Sequence, residues 1–260
     1  MSDQLSYDRT TDVPKIVGCN TRNIEYRWSI FENVASDLKK PSRILDFGAG
    51  SLRETYYFAE RGHQVTSVDL DVSRMKIFAS KYDWSRAAFQ PELTVNIPSD
   101  RSFDLITAFD VIEHIANLND VLPAFHKALG TEGMVFCTVP NKRTLLEAVN
   151  KRMLARGRVY APGEAHLQFK SPSEWDATFR SYGFDIEKHE MAIGALANNW
   201  YWSVYLGSRV CDRLLPSLGQ AMRWFVNPSI MRGFDQMDKR LGAGLSNLYG
   251  WNLIILRKAR

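Results

Sequence analysis

Residues 43–50 read RILDFGAG, and this stretch decides the fold. Its first five residues are typical of a short buried strand, and a turn with two glycines follows directly. Residues 52–61 continue as a predicted helix that Gly62 ends. Glycines let the backbone turn tightly and approach a ligand closely, and a helix N-terminus points amide donors at that ligand. This order of elements predicts a ligand site at the carboxyl end of the strand.

Two details of the turn bear on the kind of ligand. The dinucleotide-binding fingerprint expects a third glycine at position 53, where Arg53 stands. Asp46 lies just before the glycines, and its carboxylate suits a ligand with ammonium and sulfonium charges better than it suits a pyrophosphate. The turn therefore favours a positively charged ligand over a dinucleotide, and an NAD-dependent oxidoreductase is the alternative interpretation.

Asp69 is the second candidate for ligand binding. It closes the predicted strand QVTSVDL at 64–70 and lies 21 residues after Gly48, a spacing that brings a carboxylate to the hydroxyls of a ribose. An aspartate at a strand end can instead cap the next helix. Asp71 or Ser73 can fill that capping role, which leaves Asp69 for the ligand.

Outward from this turn, strand and helix patterns alternate, which is typical of βαβ units and a mostly parallel sheet. Further strands are predicted within residues 87–97, 102–109, 133–139, 184–191 and 251–256, and helices at 24–38, 72–82, 118–129 and 173–182. About sixty residues separate the last two strands, although such a connection is usually short. We therefore predict an N-terminal helical cap at 1–40, a core at 41–193, a helical insertion or lid at 194–250 and a final core strand at 251–260.

Residues 103–115, FDLITAFDVIEHI, run from an apolar strand straight into an acid-rich turn. Ligands of open parallel sheets lie beyond the carboxyl ends of the strands. Asp110, Glu113 and His114 are therefore expected at the mouth of the site.

ILDFGAG, TSVDLD and FDLITAFDVIEHI, in this order and spacing, resemble the class I S-adenosylmethionine (SAM)-dependent methyltransferases, and most of all the ubiquinone-biosynthesis-like group. The resemblance covers about residues 40–190. It implies a Rossmann-like α/β fold whose seven-stranded sheet has the order 3-2-1-4-5-7-6, with the last strand antiparallel. It also implies SAM as the cofactor, with Asp46, Gly48 and Gly50 along the methionine part, Asp69 on the ribose and Glu92 on the adenine. The full predicted cofactor-binding set is Asp46, Phe47, Gly48, Ala49, Gly50, Asp69, Leu70, Glu92 and Phe109.

Two histidines are the candidates for acid–base chemistry. A hydroxyl acceptor benefits from a base whose pKa is near neutral, and histidine suits that role. His114 follows the fourth strand and His166 lies in a loop before the sixth. Each could instead be structural. Some relatives bind a divalent ion through the histidine of an E-H pair, and Glu113-His114 is such a pair, but further ligands are not evident in the sequence, so we predict no metal.

Bulk composition excludes several classes of protein. The chain is 45% hydrophobic and 24% charged, as ordinary globular domains are. The N-terminus is polar, and no apolar run reaches the roughly 18 residues of a spanning helix. Cys19, Cys137 and Cys211 are too widely spaced for a disulfide framework or a CxxC metal site. A reducing, cytoplasmic location fits best, with a peripheral position at the inner membrane surface as a further option.

The net charge of +4 is concentrated in one segment. Residues 141–158 hold six basic residues and one acid, which leaves about −1 for the rest of the chain. This points to an anionic partner, with a solvated helix face as the alternative. Nucleic acid is not expected, because the remaining charge is small.

The basic segment and the insertion both carry apolar side chains at helical spacing. The insertion is rich in aromatic residues and includes Trp200, Tyr201, Trp202, Tyr205, Leu214, Leu215, Met222, Trp224 and Phe225. Such a composition suits a lid over a large amphipathic substrate, a peripheral membrane contact through 142–158 and 194–225, or an oligomer interface. The expected function is O-methylation of a small lipid-like or carbohydrate-like acceptor that carries negative charge. A SAM-binding module without turnover is the alternative outside enzymes.

Overall fold

The computed structural model describes residues 34–158, 165–192, 195–226, 228–241 and 250–259. Of the predicted N-terminal helix at 24–38, the part up to residue 33 lies outside the described residues. Residues 34–36 are helical, and Ala35 is buried against one face of the sheet beside Tyr57 and Phe58.

A single seven-stranded sheet forms the centre of the described fold. Its strands have the order β3-β2-β1-β4-β5-β7-β6. β1 to β5 run parallel to one another, and β7 runs antiparallel to both β5 and β6. The predicted Rossmann-like sheet is confirmed in strand number, order and direction. The strands are β1 (Arg43–Phe47), β2 (Gln64–Val68), β3 (Glu92–Thr94), β4 (Phe103–Phe109), β5 (Leu129–Pro140), β6 (Phe184–Ala192) and β7 (Trp251–Lys258).

Helices cover both faces of the sheet. Those of the core are α1 (Arg53–Ala59), α2 (Val72–Ala79), α3 (Leu122–Ala128), α4 (Leu145–Leu154) and α5 (Pro172–Ser181). Local sequence sets several starts: Asp71 accepts from the Arg74 amide at the start of α2, and Ser171 with Glu174 forms a capping box at the start of α5. α3 begins four residues later than predicted, since Leu118–Asp120 forms a separate 3-10 turn and Pro123 occupies the first turn of the helix.

Alternating side chains on the central strands build two cores, one on each face of the sheet. Leu45 and Ile106 point to one face, where they pack with Phe125 and Trp175. Ile44 and Leu105, one residue earlier on the same strands, pack on the other face with Phe58. A sheet covered on both faces leaves its strand ends as the place for a ligand.

The predicted insertion between β6 and β7 is helical where the structure describes it. It consists of α6 (Ala195–Leu214), α7 (Pro216–Arg223) and α8 (Pro228–Leu241). Tyr201 and Val204 of α6 are buried, and the Asn199 side chain accepts a hydrogen bond from the Leu145 amide at the start of α4. The side chains of Trp202, Tyr205 and Leu214 lie outside the described part. Within the described ranges, no helix is both long and apolar enough to span a bilayer.

Candidate active site

The glycine turn after β1 is closed by its own backbone. Gly48 and Gly50 have φ angles of 73° and 47°, in the left-handed region that favours glycine. The Gly48 and Ala49 amides both donate to the Val68 carbonyl, at 2.8 and 3.1 Å, and the Gly50 amide donates to Asp69 Oδ2 at 2.9 Å. The turn is thus fastened to the end of β2, and these three amides are not available to a pyrophosphate.

Gly48 also lies against the segment that leaves β4. A Cβ atom at this position would come within 2.6 Å of Val111 Cγ2, closer than real side chains pack. The absence of a side chain at Gly48 therefore allows the carboxyl ends of β1, β2 and β4 to converge, and these three ends form one wall of the candidate site.

Asp46, just before the glycine turn, is enclosed by neighbouring elements. Its side chain is buried, and its carboxylate accepts hydrogen bonds from Thr55 Oγ1 at 2.6 Å and from Thr107 Oγ1 at 2.9 Å. Burial, reinforced by the nearby charge of Glu54, raises the pKa of Asp46 to about 7. These contacts hold β1, α1 and β4 together, and the expected contact of Asp46 with the ligand's positive charges stays a prediction.

Phe47 and Phe109 also contribute mainly to the cores. The Phe47 ring packs edge-to-face on Phe125, with centroids 4.9 Å apart, and the Phe109 ring packs in the same way on Phe136 at 5.0 Å. Both residues end strands at the site, but their rings point to the two opposite cores. Their predicted contacts with a cofactor would therefore come from backbone or ring edge.

Asp69 and Leu70 lie at the exposed carboxyl end of β2. Asp69 is half-buried, and besides Gly50 it accepts from the Asp71 amide at 3.1 Å. Leu70 is 96% exposed, which is extreme for a leucine. A carboxylate beside an uncovered apolar side chain offers one partner for hydroxyls and one surface for a flat ring, as a nucleoside requires.

Glu92 is the site residue that the sequence placed wrongly. It is the first residue of β3 and pairs with Thr66, so it lies at the amino end of the parallel strands, away from the glycine turn. Its carboxylate accepts from Arg101 at 2.7 Å. Asn96 follows the carboxyl end of β3 and is exposed, at the same edge of the sheet as Asp69. The sequence could not locate the end of this strand, because β3 has only three residues.

Asp110, directly after β4, adopts a left-handed backbone with φ of 54°. Its carboxylate accepts from Thr138 Oγ1 and from Trp251 Nε1, both at 2.6 Å. Trp251 begins β7, so Asp110 joins the carboxyl ends of β4 and β5 to the chain that returns from the insertion. Strained residues of this kind concentrate at functional sites.

The two candidate histidines lie together at this end of the sheet. Their rings pack edge-to-face with centroids 4.9 Å apart. His114 Nδ1 lies 3.0 Å from the Ala165 carbonyl oxygen, and His166 Nδ1 lies 2.8 Å from Glu147 Oε1. Glu147, on α4, is 1% exposed and was missed as a site residue, because in the sequence it is only the single acid of the basic segment.

Glu113, His114 and His166 are the one group of described residues that could hold a metal ion. One potential ligand atom from each lies within 4.8 Å of the others. His166 thus joins the Glu113-His114 pair as a third candidate metal ligand, which the sequence alone did not identify. The expectation that no metal is bound stays a prediction.

Most cations of the basic segment are exposed. Lys142 donates to Glu174 at 2.6 Å and is therefore engaged in an ion pair. Lys151, Arg152, Arg156 and Arg158 lie at or beyond the last turn of α4, exposed and without an ion pair to any described residue. They give this end of the helix a positive surface.

A family model described as a methyltransferase domain matches residues 21–189, about two thirds of the chain. The chain belongs to the class I SAM-dependent methyltransferases. This methyltransferase is similar to a ubiquinone biosynthesis O-methyltransferase of Idiomarina loihiensis, with 28% identity over 141 residues. The match covers 51% of this chain and 57% of that relative, so the chain spans only a little over half of the relative's length.

Two solved structures illustrate how far the fold of this methyltransferase extends. Phosphoethanolamine N-methyltransferase 2 of Haemonchus contortus, in complex with phosphomonomethylethanolamine and S-adenosylhomocysteine, has a TM-score of 0.56 at 17% identity, covering 91% of this chain and 53% of that one. A SAM-dependent methyltransferase of Thiobacillus denitrificans with S-adenosylhomocysteine has a TM-score of 0.51 at 17% identity, covering 99% of both chains. At such identities the likeness is one of fold.

Proposed function

We propose that this methyltransferase binds SAM between the glycine turn and the end of β2 and transfers its methyl group to a hydroxyl of a small acceptor. The observation that carries the cofactor site is the pairing of Asp69 with the uncovered side chain of Leu70 beside the Gly50 turn. Asp69 would accept from the ribose hydroxyls and Leu70 would be covered by the adenine. Oxygen is favoured as the methylated atom because of the similarity to ubiquinone biosynthesis O-methyltransferases.

His166 is the proposed base. When bound, SAM supplies a methyl group that its positive sulfur already activates. His166 Nε2 would take the proton from the acceptor hydroxyl as the oxygen bonds to the methyl carbon and the carbon–sulfur bond breaks. His114 is the second candidate. Its Nδ1 also faces a hydrogen-bond acceptor, but that acceptor is the neutral carbonyl of Ala165. His166 is preferred because the Glu147 carboxylate would stabilise the imidazolium that forms on it.

The preferred acceptor is lipid-like or carbohydrate-like and anionic. Lys151, Arg152, Arg156 and Arg158 would attract its negative group, and the insertion would cover it as a lid, because α6 packs on the start of α4. The exposed apolar side chains Leu215, Leu218, Trp224 and Phe225 favour a second role for the insertion, a peripheral contact with an anionic membrane surface.

The test begins with the cofactor. Calorimetry with SAM and with NAD should give binding of SAM alone, and radiolabelled SAM incubated with a small-molecule extract should give label in a product whose methyl group mass spectrometry places on oxygen. Binding of NAD instead would establish the oxidoreductase alternative. SAM binding with no label in any fraction would support a binding module without turnover, and co-sedimentation with phosphatidylglycerol vesicles tests the membrane contact.

A further inference from the structure

Glu147 occupies an unusual place for a carboxylate. It lies in the first turn of α4 and is 1% exposed, although its neighbours in the sequence make this the most basic segment of the chain. Buried acids are rare unless they are paired. Its Oε1 contacts His166 Nδ1 at 2.8 Å and Asn150 Nδ2 at 3.2 Å, while its Oε2 has no hydrogen-bond partner among the described residues. Such an arrangement costs stability, so it calls for a functional reason.

The contact defines the state of the imidazole. His166 Nδ1 lies 2.8 Å from Glu147 Oε1 and 3.5 Å from Asn150 Nδ2, so the carboxylate is its nearer partner. A carboxylate that only accepts hydrogen bonds favours the tautomer with the proton on Nδ1 and the lone pair on Nε2. The same carboxylate limits rotation of the ring. Besides Glu147, the titratable groups near this ring among the described residues are Glu113 and His114.

The insertion also stabilises the first turn of α4, which carries Glu147. Thr144 Oγ1 accepts from the Glu147 amide at 3.3 Å, and Asn199 Oδ1, on α6, accepts from the Leu145 amide at 3.1 Å. Two otherwise unsatisfied amides at the start of α4 are therefore capped, one locally and one by the insertion. The turn that carries Glu147 is fixed from a segment 54 residues away in sequence.

We propose that Glu147 is a positioning residue for methyl transfer, which holds His166 in the Nδ1–H tautomer with Nε2 toward the acceptor, and that Asn199 links the insertion to this arrangement by capping α4. This rests on the proposed function of His166. It assigns a catalytic consequence to two residues that bind neither SAM nor acceptor, and it gives the insertion a part in turnover besides covering the site.

Glu147→Leu should lower kcat by about 10- to 100-fold, by analogy with residues that orient metal-ligating histidines, with KM and the Kd for SAM changed less than threefold. Glu147→Asp, a shorter acid, should recover part of kcat. Asn199→Ala should lower kcat by a few fold, and Asn199→Asp, which keeps an acceptor oxygen, should restore it. In a His166→Ala background, Glu147→Leu should cause no further loss.

A second readout needs no acceptor. Long-range ¹H–¹⁵N spectra of the imidazoles should show His166 as a single Nδ1–H tautomer in the wild type and a loss of that state in Glu147→Leu, with folding checked by circular dichroism. A wild-type His166 in the Nε2–H tautomer overturns the proposal, as does an additive loss of kcat in the His166→Ala background. If wild type binds SAM and methylates nothing while the tautomer is as stated, the proposed function fails and the Glu147–His166 contact stands.

Discussion

Gly48→Ala is the substitution whose cost can be worked out most directly from the structure. The new Cβ would lie 2.6 Å from Val111 Cγ2 and 2.8 Å from Val111 Cβ, and the residue would also have to keep a φ of 73°. A left-handed backbone costs a non-glycine residue about 1–2 kcal/mol. Overpacking in a closely packed place adds about 1–3 kcal/mol. The free energy of unfolding should therefore fall by about 2–5 kcal/mol.

Gly62→Ala is the matched control. Gly62 has a φ of 86°, but a Cβ there would meet no atom within 4 Å, so this variant carries the backbone cost alone. The difference between the two variants isolates the contact with Val111 and should be about 1–3 kcal/mol. Urea denaturation followed by circular dichroism measures both free energies, and calorimetry with S-adenosylhomocysteine should show affinity lost only in Gly48→Ala.

A double-mutant cycle tests the cause. Val111→Ala removes Cγ1 and Cγ2, the nearest and the third-nearest of the atoms that the new Cβ would meet, and leaves the Val111 Cβ in place. Gly48→Ala should therefore cost less in the Val111→Ala background, by about 1 kcal/mol. If the Gly48 and Gly62 variants lose equal stability, or if the cycle shows no coupling, the convergence of β1 and β4 at Gly48 is not what constrains this residue.

Three further predictions concern the cofactor, the buried acid and the cations. Asp69→Ala should weaken SAM binding by roughly 2–3 kcal/mol through loss of charge-assisted hydrogen bonds, and unchanged affinity in calorimetry would remove Asp69 from the ribose site. Asp46 has a folded pKa of about 7, above its ordinary value of 3.8, so its contribution to stability is complete below about pH 4 and is lost as pH rises toward 7. Asp46→Asn should flatten this fall between about pH 4 and 7 in thermal denaturation, and an unchanged slope would contradict the assignment. Replacing Lys151 and Arg152 by Ala should leave SAM affinity intact but raise KM for an anionic acceptor, most at low salt, whereas an effect independent of salt would argue against an electrostatic role.

The sheet could be predicted because its information is local. RILDF, QVTSV and FDLITAF each have the pattern of a buried strand, and each ends in residues that mark the start of a site. The strand order itself came from the resemblance to a family. β3 shows the limit of local patterns, since a three-residue strand has too few positions to fix its register, and Glu92 was consequently assigned to the wrong end of the sheet.

Side-chain direction at the strand ends was harder to predict. Asp46 lies near the end of β1 and Asp69 directly follows β2, and the sequence predicts that both carboxylates contact the cofactor. In the structure, Asp46 is buried and accepts from Thr55 and Thr107, whereas Asp69 is only half-buried and accepts from the amide of Gly50. Which face a terminal side chain takes depends on the neighbouring strands, whose hydroxyls the sequence does not locate.

The Glu147–His166 contact could not be predicted, since it joins residues 19 apart in sequence with no pattern that relates them. In the sequence, Glu147 only lowers the net positive charge of the basic segment. An acid that stands alone among cations is expected on a solvated helix face, and only the burial of Glu147 in the structure shows that it is not such a residue.

Besides the glycines, Leu52 and Asp110 adopt left-handed backbone conformations next to the glycine turn. Both are non-glycine residues with positive φ, 61° and 54°, and they flank the turn on the α1 and β4 sides. The conformation costs Leu52 about 1–2 kcal/mol and is less costly for aspartate, which adopts it more readily. Both side chains make contacts that stabilise it. Leu52 is completely buried in the cluster with Met75 and Phe78, and Asp110 is fixed by Thr138 and Trp251. A glycine at position 52 would lose the buried Leu52 side chain, and a glycine at position 110 would lose the hydrogen bonds to Thr138 and Trp251, so both side chains favour an ordered turn at this end of the sheet.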